Sequence, residues 1–332
     1  MRWRYLDLTG FLTVGVVCLL AAVPVEGQVF TTPWGDPDLQ GTWTNRTLTP
    51  LERPAEFEGK PTLTEAEALE WEARLRDGNN TDIRTADSDY TPGTLRDVTA
   101  AYNTIWYDRG ERIVADRRTS LVINPADGKV PELTPAGAAR KVDLREADLR
   151  EDLGRADSWE DFSAYVRCII RSGLPRLSTG YNNNYEIVQT PGLVAIYQEQ
   201  MHDIRLIPLD GRPHLPGAVR QWLGDSRGHW EGDTLVVETT NFTDQARGSL
   251  FLEATKDMVL VERFTRAGAD MIDYRFTITD PATWTSSWTV ALPWNREPGL
   301  IYEYACHEGN HGLMNSLSAA RAADEAEAQE QP

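Results

Sequence analysis

The stretch that decides the fold is "MVLVERFTRAGADMIDYRFTITD", residues 258–280. It contains two runs of alternating character, separated by a turn at Gly268. Along the second run, polar positions alternate with apolar ones: Met271, Asp273, Arg275 and Thr277 against Ile272, Tyr274, Phe276 and Ile278. This period of two predicts an antiparallel hairpin with one solvated face and one buried face.

Similar runs lie on both sides of this hairpin. They read "YEIVQTP", "LVAIYQE", "IRLIPLD", "HWEGDTLVVETTNF", "WTSSWTVALPW" and "LIYEYAC". About eight antiparallel strands joined by short turns predict a mainly β fold, an antiparallel meander that closes into a lipocalin-like barrel. Gly41-Thr42-Trp43 is the G-x-W pattern found on the first strand of such barrels, although a Trp can also pack at the end of any sheet.

The remaining segments are assigned around this barrel. Residues 28–100 form an N-terminal arm with a helix at 64–77, capped by Thr64 and Glu67. Residues 101–318 form the β-barrel-like domain, with a helical insertion at 134–152 and a C-terminal helix after Asn310. Residues 319–332 are rich in Ala, Glu and Gln and are expected to be disordered.

Charge and the N-terminus bear on location and partners. The formal net charge of −18 argues against nucleic acid and anionic membranes as partners, because both attract basic surfaces. Residues 1–27 have a basic start, a short apolar run and a small-residue cleavage site before Gln28, which is typical of a secretory signal peptide. We therefore expect a secreted or periplasmic protein; the alternative is an uncleaved anchor.

Two cysteines remain after cleavage, Cys168 and Cys306. An even pair in an exported protein suggests one disulfide. The alternatives are two buried free thiols, or Cys306 as a metal ligand beside His307. Sequence separation alone does not choose among them, because pairing depends on geometry.

The segment "CHEGNH", residues 306–311, contains the H-E-x-x-H pattern of zinc peptidases. That chemistry needs both histidines on one helical face. Gly309 and Asn310 are poor helix formers, and no histidine follows His311 as a third ligand. We therefore expect a strand that turns into a helix here, and no peptidase site.

Polar residues at strand ends predict a different site. The candidate catalytic residues, grouped around one mouth of the barrel, are His202, His214, His307, Glu308 and Asp210. The three histidines could also hold a divalent metal such as zinc. The alternative is that Asp–Arg pairs brace turns while the histidines are solvated or hydrogen-bonded.

Candidate substrate-binding residues lie in the same region. They are Arg205, Arg212, Asn182, Asn184 and Tyr185. Guanidinium groups bind anions, and Asn amides both donate and accept hydrogen bonds, as sugar or carboxylate recognition requires. The asparagines of "GYNNNY" are also suited to a tight turn, which is their more common use.

Long motifs give a resemblance to one protein family. The chain carries "GDPDLQGTWTN", "HDIRLIPLDGRPH", "GDSRGHWEGDTLVVETTNF" and "YEYACHEGN", and it resembles a large group of exported bacterial proteins, abundant in soil lineages and mostly labelled hypothetical. The resemblance implies secretion and a shared fold but no reaction. It also implies that His202, His214, His307 and Glu308 belong to recurring motifs, whereas His229 and His311 do not.

Two functions remain open at this point. The first is an exported enzyme that acts on a small polar organic or glycan-derived substrate through the His/carboxylate cluster. The second is a non-catalytic barrel that binds a small molecule. The enzyme hypothesis requires the three histidines to converge, and the binding hypothesis requires an internal cavity of at least a few hundred Å³. The sequence predicts neither the substrate nor the oligomeric state.

Overall fold

The computed structural model describes residues 30–82, 103–152, 156–171, 173–244 and 254–330. The predicted signal peptide, residues 1–27, lies outside the described residues. The described part contains three α-helices: α1 (Glu65–Gly78), α2 (Pro135–Asp152) and α3 (His311–Glu330). None of the described helices combines the length and the hydropathy that a membrane span requires.

Eleven strands in the described part form one antiparallel sheet, which confirms the mainly β fold. They are β1 (Gly41–Thr44), β2 (Val122–Asn124), β3 (Asn184–Thr190), β4 (Leu193–Gln198), β5 (Ile204–Pro208), β6 (Asp225–Glu231), β7 (Thr234–Thr240), β8 (Val259–Arg266), β9 (Met271–Thr279), β10 (Trp288–Ala291) and β11 (Trp294–Arg296).

The strands follow one another around a nearly closed barrel in chain order. β1 is followed by β3, β4 and β5, then by β6, β7, β8, β9 and β11, and β11 pairs with β1 to complete the circle. β10 extends the wall beside β9 and carries β2 on its other edge. Most neighbouring strands are also sequence neighbours, as the predicted meander requires.

One junction of the wall has no backbone ladder. Nine strands lie on the circular path, and every ladder between them is antiparallel. Because nine is an odd number, strand directions cannot alternate around the whole circle, and one neighbouring pair must run parallel. The odd pair is β5 and β6, which run parallel at a junction that we call the seam. A Cβ on Gly228 would lie 2.8 Å from the side chain of Ile207, so only glycine lets the two strands approach this closely.

Aromatic side chains fill much of the barrel. Trp288, Tyr274, Phe264 and Phe276 are fully buried, and the ring of Tyr185 stacks on Trp294 at 4.3 Å. Burial of this much apolar area supplies the main stabilisation of the fold.

Trp43 of the G-x-W pattern lies on β1 at one end of the barrel. Its buried ring is flanked by the guanidinium groups of Arg266 and Arg296, at 4.7 and 5.2 Å from the ring centre. Gly41 has a φ of +123°, and a Cβ there would collide with the guanidinium of Arg296. Gly41 therefore leaves room for the Arg296 side chain where β1 pairs with β11, and the ring of Trp43 provides the surface on which the two arginines stack.

The helices begin close to where the sequence places them. The Thr64 side chain accepts a hydrogen bond from the amide of Glu67, and the Glu67 carboxylate caps Thr64 in return. α1 packs Ala68 and Trp71 on Leu63 and Ile113, which forms a second, smaller core beside the barrel. The Thr134 hydroxyl accepts from the amide of Gly137 at the start of α2.

Two expectations at the C-terminal end are wrong. "LIYEYAC" is irregular rather than a strand: Leu300 and Tyr302 are 76% and 72% exposed, and the last barrel strand is β11. Residues 319–330 belong to α3 rather than to a disordered tail, because an Ala- and Glu-rich sequence also has high helix propensity. A disulfide joins Cys168 to Cys306 and ties this C-terminal segment to residues 163–171.

Candidate functional site

The "CHEGNH" segment is a turn followed by a helix. His307 to Gly309 lie in a bend and a turn, and α3 begins at His311. The two histidines of the H-E-x-x-H pattern therefore do not share one helical face. His307 and Glu308 are both exposed on this corner.

His214 is held between two carboxylates on neighbouring strands. Its Nδ1 lies 2.9 Å from Asp225, and its Nε2 lies 3.1 Å from Glu238. Asp225 is buried and is fixed in turn by Arg227 and by the amide of Leu215. The arrangement orients the imidazole firmly, but both of its nitrogens are already occupied.

The predicted histidine trio is only partly described. Neither His307 nor Glu308 is among the hydrogen-bond partners of His214. Among the side chains that the structure describes, no group of three or more His, Cys, Asp or Glu residues could hold a metal ion. The side chain of His202 lies outside them, so the metal site of His202, His214 and His307 stays a prediction.

Asp210 and Arg212 form an exposed pair on the turn after β5. The guanidinium Nε of Arg212 donates to Asp210 at 2.9 Å, and this contact holds the pKa of Asp210 below its ordinary value. Both carboxylate oxygens of Asp210 already accept from Arg212, so they are occupied. The pair braces the turn, as the alternative interpretation proposed.

Arg205 differs most from its predicted role as an anion clamp. It points into the barrel, where both Nη atoms donate to the Glu262 carboxylate of β8. Its Nε donates to Ser226 of β6 at 3.0 Å, so it also bridges the seam. Arg205 and Glu262 are 8% and 1% exposed, so a ligand outside the wall does not reach them. The prediction of an anion clamp is wrong because Glu262 already supplies an internal counter-charge to this guanidinium.

The barrel interior around this pair has little free space. The cavity measures about 20 Å³ and is lined by polar and aromatic side chains that include Arg176, Tyr185, Gln198 and Trp294. Burial raises the pKa of Tyr185 to about 12, and its hydroxyl accepts from Asn45. A volume of this size matches roughly one water molecule and lies far below the roughly 300–1,000 Å³ of pockets for organic ligands. This cavity is therefore too small for an organic ligand.

The asparagines of "GYNNNY" serve mainly a turn. Asn182 has a left-handed φ of 54°, and Asn183 bonds Thr179 and the main chain of Asp108. Asn182 and Asn184 hydrogen-bond the carboxylate of Glu199 at the end of β4. Burial of Glu199 raises its pKa, and these hydrogen bonds oppose the shift only in part.

A wide cleft lies outside the barrel. It is a cleft of about 1,230 Å³ between α1, residues 104–117 and the end of the barrel formed by β1 and β11. Six arginines line it against five carboxylates. The arginines are Arg46, Arg76, Arg109, Arg112, Arg117 and Arg296.

These arginines fall into two groups. Arg46 pairs with Asp108 and Glu297, and Arg76 lies 3.9 Å from Glu72. Within the described residues, the other four have no carboxylate within salt-bridge distance: Arg109, Arg112, Arg117 and Arg296. Arg109 stacks on the ring of Tyr107 at 4.2 Å and donates to Asn79 at 3.0 Å, which holds its guanidinium at the cleft wall.

Sequence reasoning did not single out these residues. One signal in the sequence was the local density of arginine. Four arginines fall within ten positions of an otherwise acidic chain, namely Arg109, Arg112, Arg117 and Arg118. The lining combines this segment with α1 and β11, which lie far apart in sequence. No family model, no curated protein and no solved structure matches the chain.

Proposed function

We propose that this protein binds a small anionic organic molecule, one with carboxylate groups, in the arginine-lined cleft. The observation that carries the proposal is the local reversal of charge. The chain has a formal net charge of −18, yet four arginines of the cleft have no carboxylate partner among the described residues.

Guanidinium groups that have no carboxylate partner among the described residues favour an anionic ligand. Each presents N–H donors in a planar fork that matches a carboxylate. The surrounding negative surface also repels anions in general, so binding depends on the focused charge within the cleft. The cleft volume of about 1,230 Å³ exceeds that of a single small acid, so the ligand can be as large as an acidic sugar.

Calorimetric titration with citrate, D-glucuronate and D-glucose tests this function. We expect the two acids to bind and glucose to show much weaker binding, and we expect the affinity to fall as salt rises. Arg112→Gln and Arg109→Gln should each weaken acid binding about tenfold or more, since each removes a charged hydrogen-bond donor.

Arg167→Gln is the matched control. Arg167 also lacks a carboxylate partner among the described residues, but it stacks on Trp159 outside the cleft. Equal affinity for glucose and glucuronate would refute the proposal. So would an Arg167→Gln variant that loses as much affinity as the two cleft variants.

Catalysis at the His/carboxylate cluster is our second proposal. The contact of His214 with the buried Asp225 supports it, because a fixed carboxylate orients an imidazole for proton transfer. Metal analysis of the purified mature protein tests the metal-dependent form with His202 and His307. Absence of a transition metal, with none taken up on addition, would remove that form.

We also propose export to the periplasm or the medium. The basic start and the short apolar run of residues 1–27 support it. Mass measurement of the mature chain should give an N-terminus at Gln28, whereas an intact Met1 would support the uncleaved anchor instead.

A further inference from the structure

Another arginine without a carboxylate partner among the described residues, Arg171, lies outside the cleft in a cluster of tyrosines. Nη1 of Arg171 donates to the hydroxyl of Tyr165 at 2.9 Å and to that of Tyr181 at 2.8 Å. The two phenol oxygens lie 3.4 Å apart. The guanidinium also lies over both rings, 4.3 Å and 5.1 Å from their centres. One cation thus holds two phenols together.

The cluster is assembled from three segments of the chain. Tyr165 and Arg171 come from the turn at 163–171, Tyr181 from the loop before β3, and Tyr304 from the C-terminal segment. The hydroxyl of Tyr304 hydrogen-bonds that of Tyr165. The disulfide between Cys168 and Cys306 joins the first and third of these segments, so a covalent link fixes the place where Tyr304 meets Tyr165.

Arg171 has guanidinium N–H groups that donate to no described residue, and it has no carboxylate partner in the described part of the chain. Within the described residues the only hydrogen bonds of its guanidinium are the two from Nη1, which leaves Nε and Nη2 without a partner there. The side chain is only partly buried. Nε and one Nη of a guanidinium form the fork that takes a carboxylate in two parallel bonds.

The ionisable groups that face Tyr181 are Tyr165 and Arg171, and Tyr304 faces Tyr165. Burial opposes the ionisation of Tyr181, but the hydrogen bonds from Tyr165 and Arg171 outweigh it and lower its pKa. Burial, together with hydrogen bonds to Tyr181 and Tyr304, raises the pKa of Tyr165. When one phenol ionises, the other therefore keeps its proton and donates it to the phenolate.

We propose that Arg171, Tyr165 and Tyr181 form a second carboxylate-binding site, in which the bound carboxylate replaces a phenolate as the counter-ion of Arg171. The ligand class is an organic acid or acidic sugar with one carboxylate at its end. None of the three residues lines the cleft, so this site is separate from the one proposed above.

The proposal includes a defined proton balance. Above the pKa of Tyr181, the free site holds a phenolate and the guanidinium. A carboxylate that binds at Nε and Nη2 neutralises the charge of Arg171, so the phenolate oxygen takes one proton from solvent and stays hydrogen-bonded to Nη1 as a neutral phenol. No covalent bond other than this O–H bond is made or broken. Affinity should therefore fall about tenfold per pH unit above that pKa and stay level below it.

Ultraviolet titration of tyrosinate in the full chain tests the site, with D-glucuronate as the probe. We expect one tyrosine of the wild type to ionise below the ordinary pKa, and glucuronate to shift that step to higher pH in a saturable way. Tyr181→Phe should remove the step, and Arg171→Gln should move it upward and abolish the effect of glucuronate.

Two further variants make the outcome specific. Arg112→Gln, in the cleft, should titrate like the wild type, so loss of cleft binding and loss of this site are distinguishable. Tyr304→Phe should retain the Tyr181 step, and circular dichroism checks that each variant is folded. The inference is overturned if wild type and Tyr181→Phe titrate alike, or if glucuronate leaves the wild-type step unmoved.

Discussion

Arg205 and Arg171 both contact tyrosine-containing clusters, yet their surroundings are opposite. Arg205 is buried in the barrel, and its guanidinium is matched by Glu262, which also accepts from the hydroxyl of Tyr274 at 2.8 Å. Arg171 is half-buried on the outside, and within the described residues its partners are phenols with no carboxylate. Among the described residues, the protein thus supplies a carboxylate to the arginine inside the barrel and none to the arginine outside it.

The partner of each arginine indicates whether its role is to stabilise the fold or to bind a ligand. A buried ion pair with every oxygen bonded is costly to disturb, because removal of one member leaves a charge in a poorly solvated place. A partly exposed cation loses little when its neighbours change, since water replaces them. The following substitutions test this contrast, from the largest effect to the smallest.

Glu262→Gln should cost about 3–5 kcal/mol in the free energy of unfolding, because it leaves Arg205 buried without a counter-charge. Chemical denaturation measures the loss. The double variant Arg205→Met with Glu262→Gln should recover most of it, since both charges are then absent. A single variant as stable as the wild type would break the comparison.

Tyr274→Phe should cost about 1.5–3 kcal/mol, because it removes a hydrogen bond to the buried carboxylate of Glu262. Tyr165→Phe offers a matched test on the other side of the contrast, and should cost less than about 1 kcal/mol since water can replace its hydroxyl. Equal losses in thermal or chemical denaturation would show that the Arg171 cluster is structural as well.

Glu199→Gln should stabilise the protein in a pH-dependent way. Glu199 is a buried carboxyl whose raised pKa arises from burial, so the folded state favours the protonated form. Its contribution to stability is present below the ordinary pKa of Glu and is lost as pH rises through the raised value. Melting temperatures of both proteins should therefore agree in acid and diverge towards pH 7, with the Gln variant higher; parallel curves would contradict this.

Arg112→Gln should change the free energy of unfolding by less than about 0.5 kcal/mol, because the side chain is exposed and has no carboxylate partner among the described residues. Denaturation alongside Glu262→Gln measures this smallest effect. A loss of several kcal/mol would mean that the cleft arginines hold the fold together, and it would weaken the binding proposal.

Local signals in the sequence predicted much of the barrel. The alternation on both sides of Gly268 corresponds to β8 and β9, with Ile272, Tyr274 and Phe276 fully buried. Short turns and a period of two act between near neighbours, so a single sequence contains the information. The capping pair Thr64 and Glu67 is equally local, and α1 begins directly after it.

Features that depend on distant partners were not predicted. β5 has its apolar Ile204 and Leu206 outside, 62% and 57% exposed, while Arg205 points inward. That orientation is stable because Glu262 on β8 accepts hydrogen bonds from Arg205 inside the barrel. No pattern within β5 indicates the presence of this partner. For the same reason the sequence predicts a strand at "LIYEYAC" that the structure does not have, whereas closure depends on the pairing of Trp43 with Arg296 across most of the chain.

The candidate site shows the same limit. Histidines near strand ends predict a site because imidazole chemistry is recognisable in sequence. The sequence does not predict that Asp225 of β6 and Glu238 of β7 occupy both ring nitrogens of His214. The cleft and the Arg171 cluster depend on which charges lack partners. That property exists only after folding, because it is defined by what lies nearby in space.

The odd number of strands around the barrel has a consequence for how the molecule exchanges hydrogen with solvent. All the remaining junctions of the wall are protected by antiparallel ladders. β5 and β6, in contrast, meet through side chains such as Arg205 and Ser226. Deuterium should therefore enter first at the amides that face this junction, while those of the β8–β9 ladder retain their protons longest. A map of exchange rates around the barrel would then locate one slow side and one fast side of a wall that is otherwise continuous.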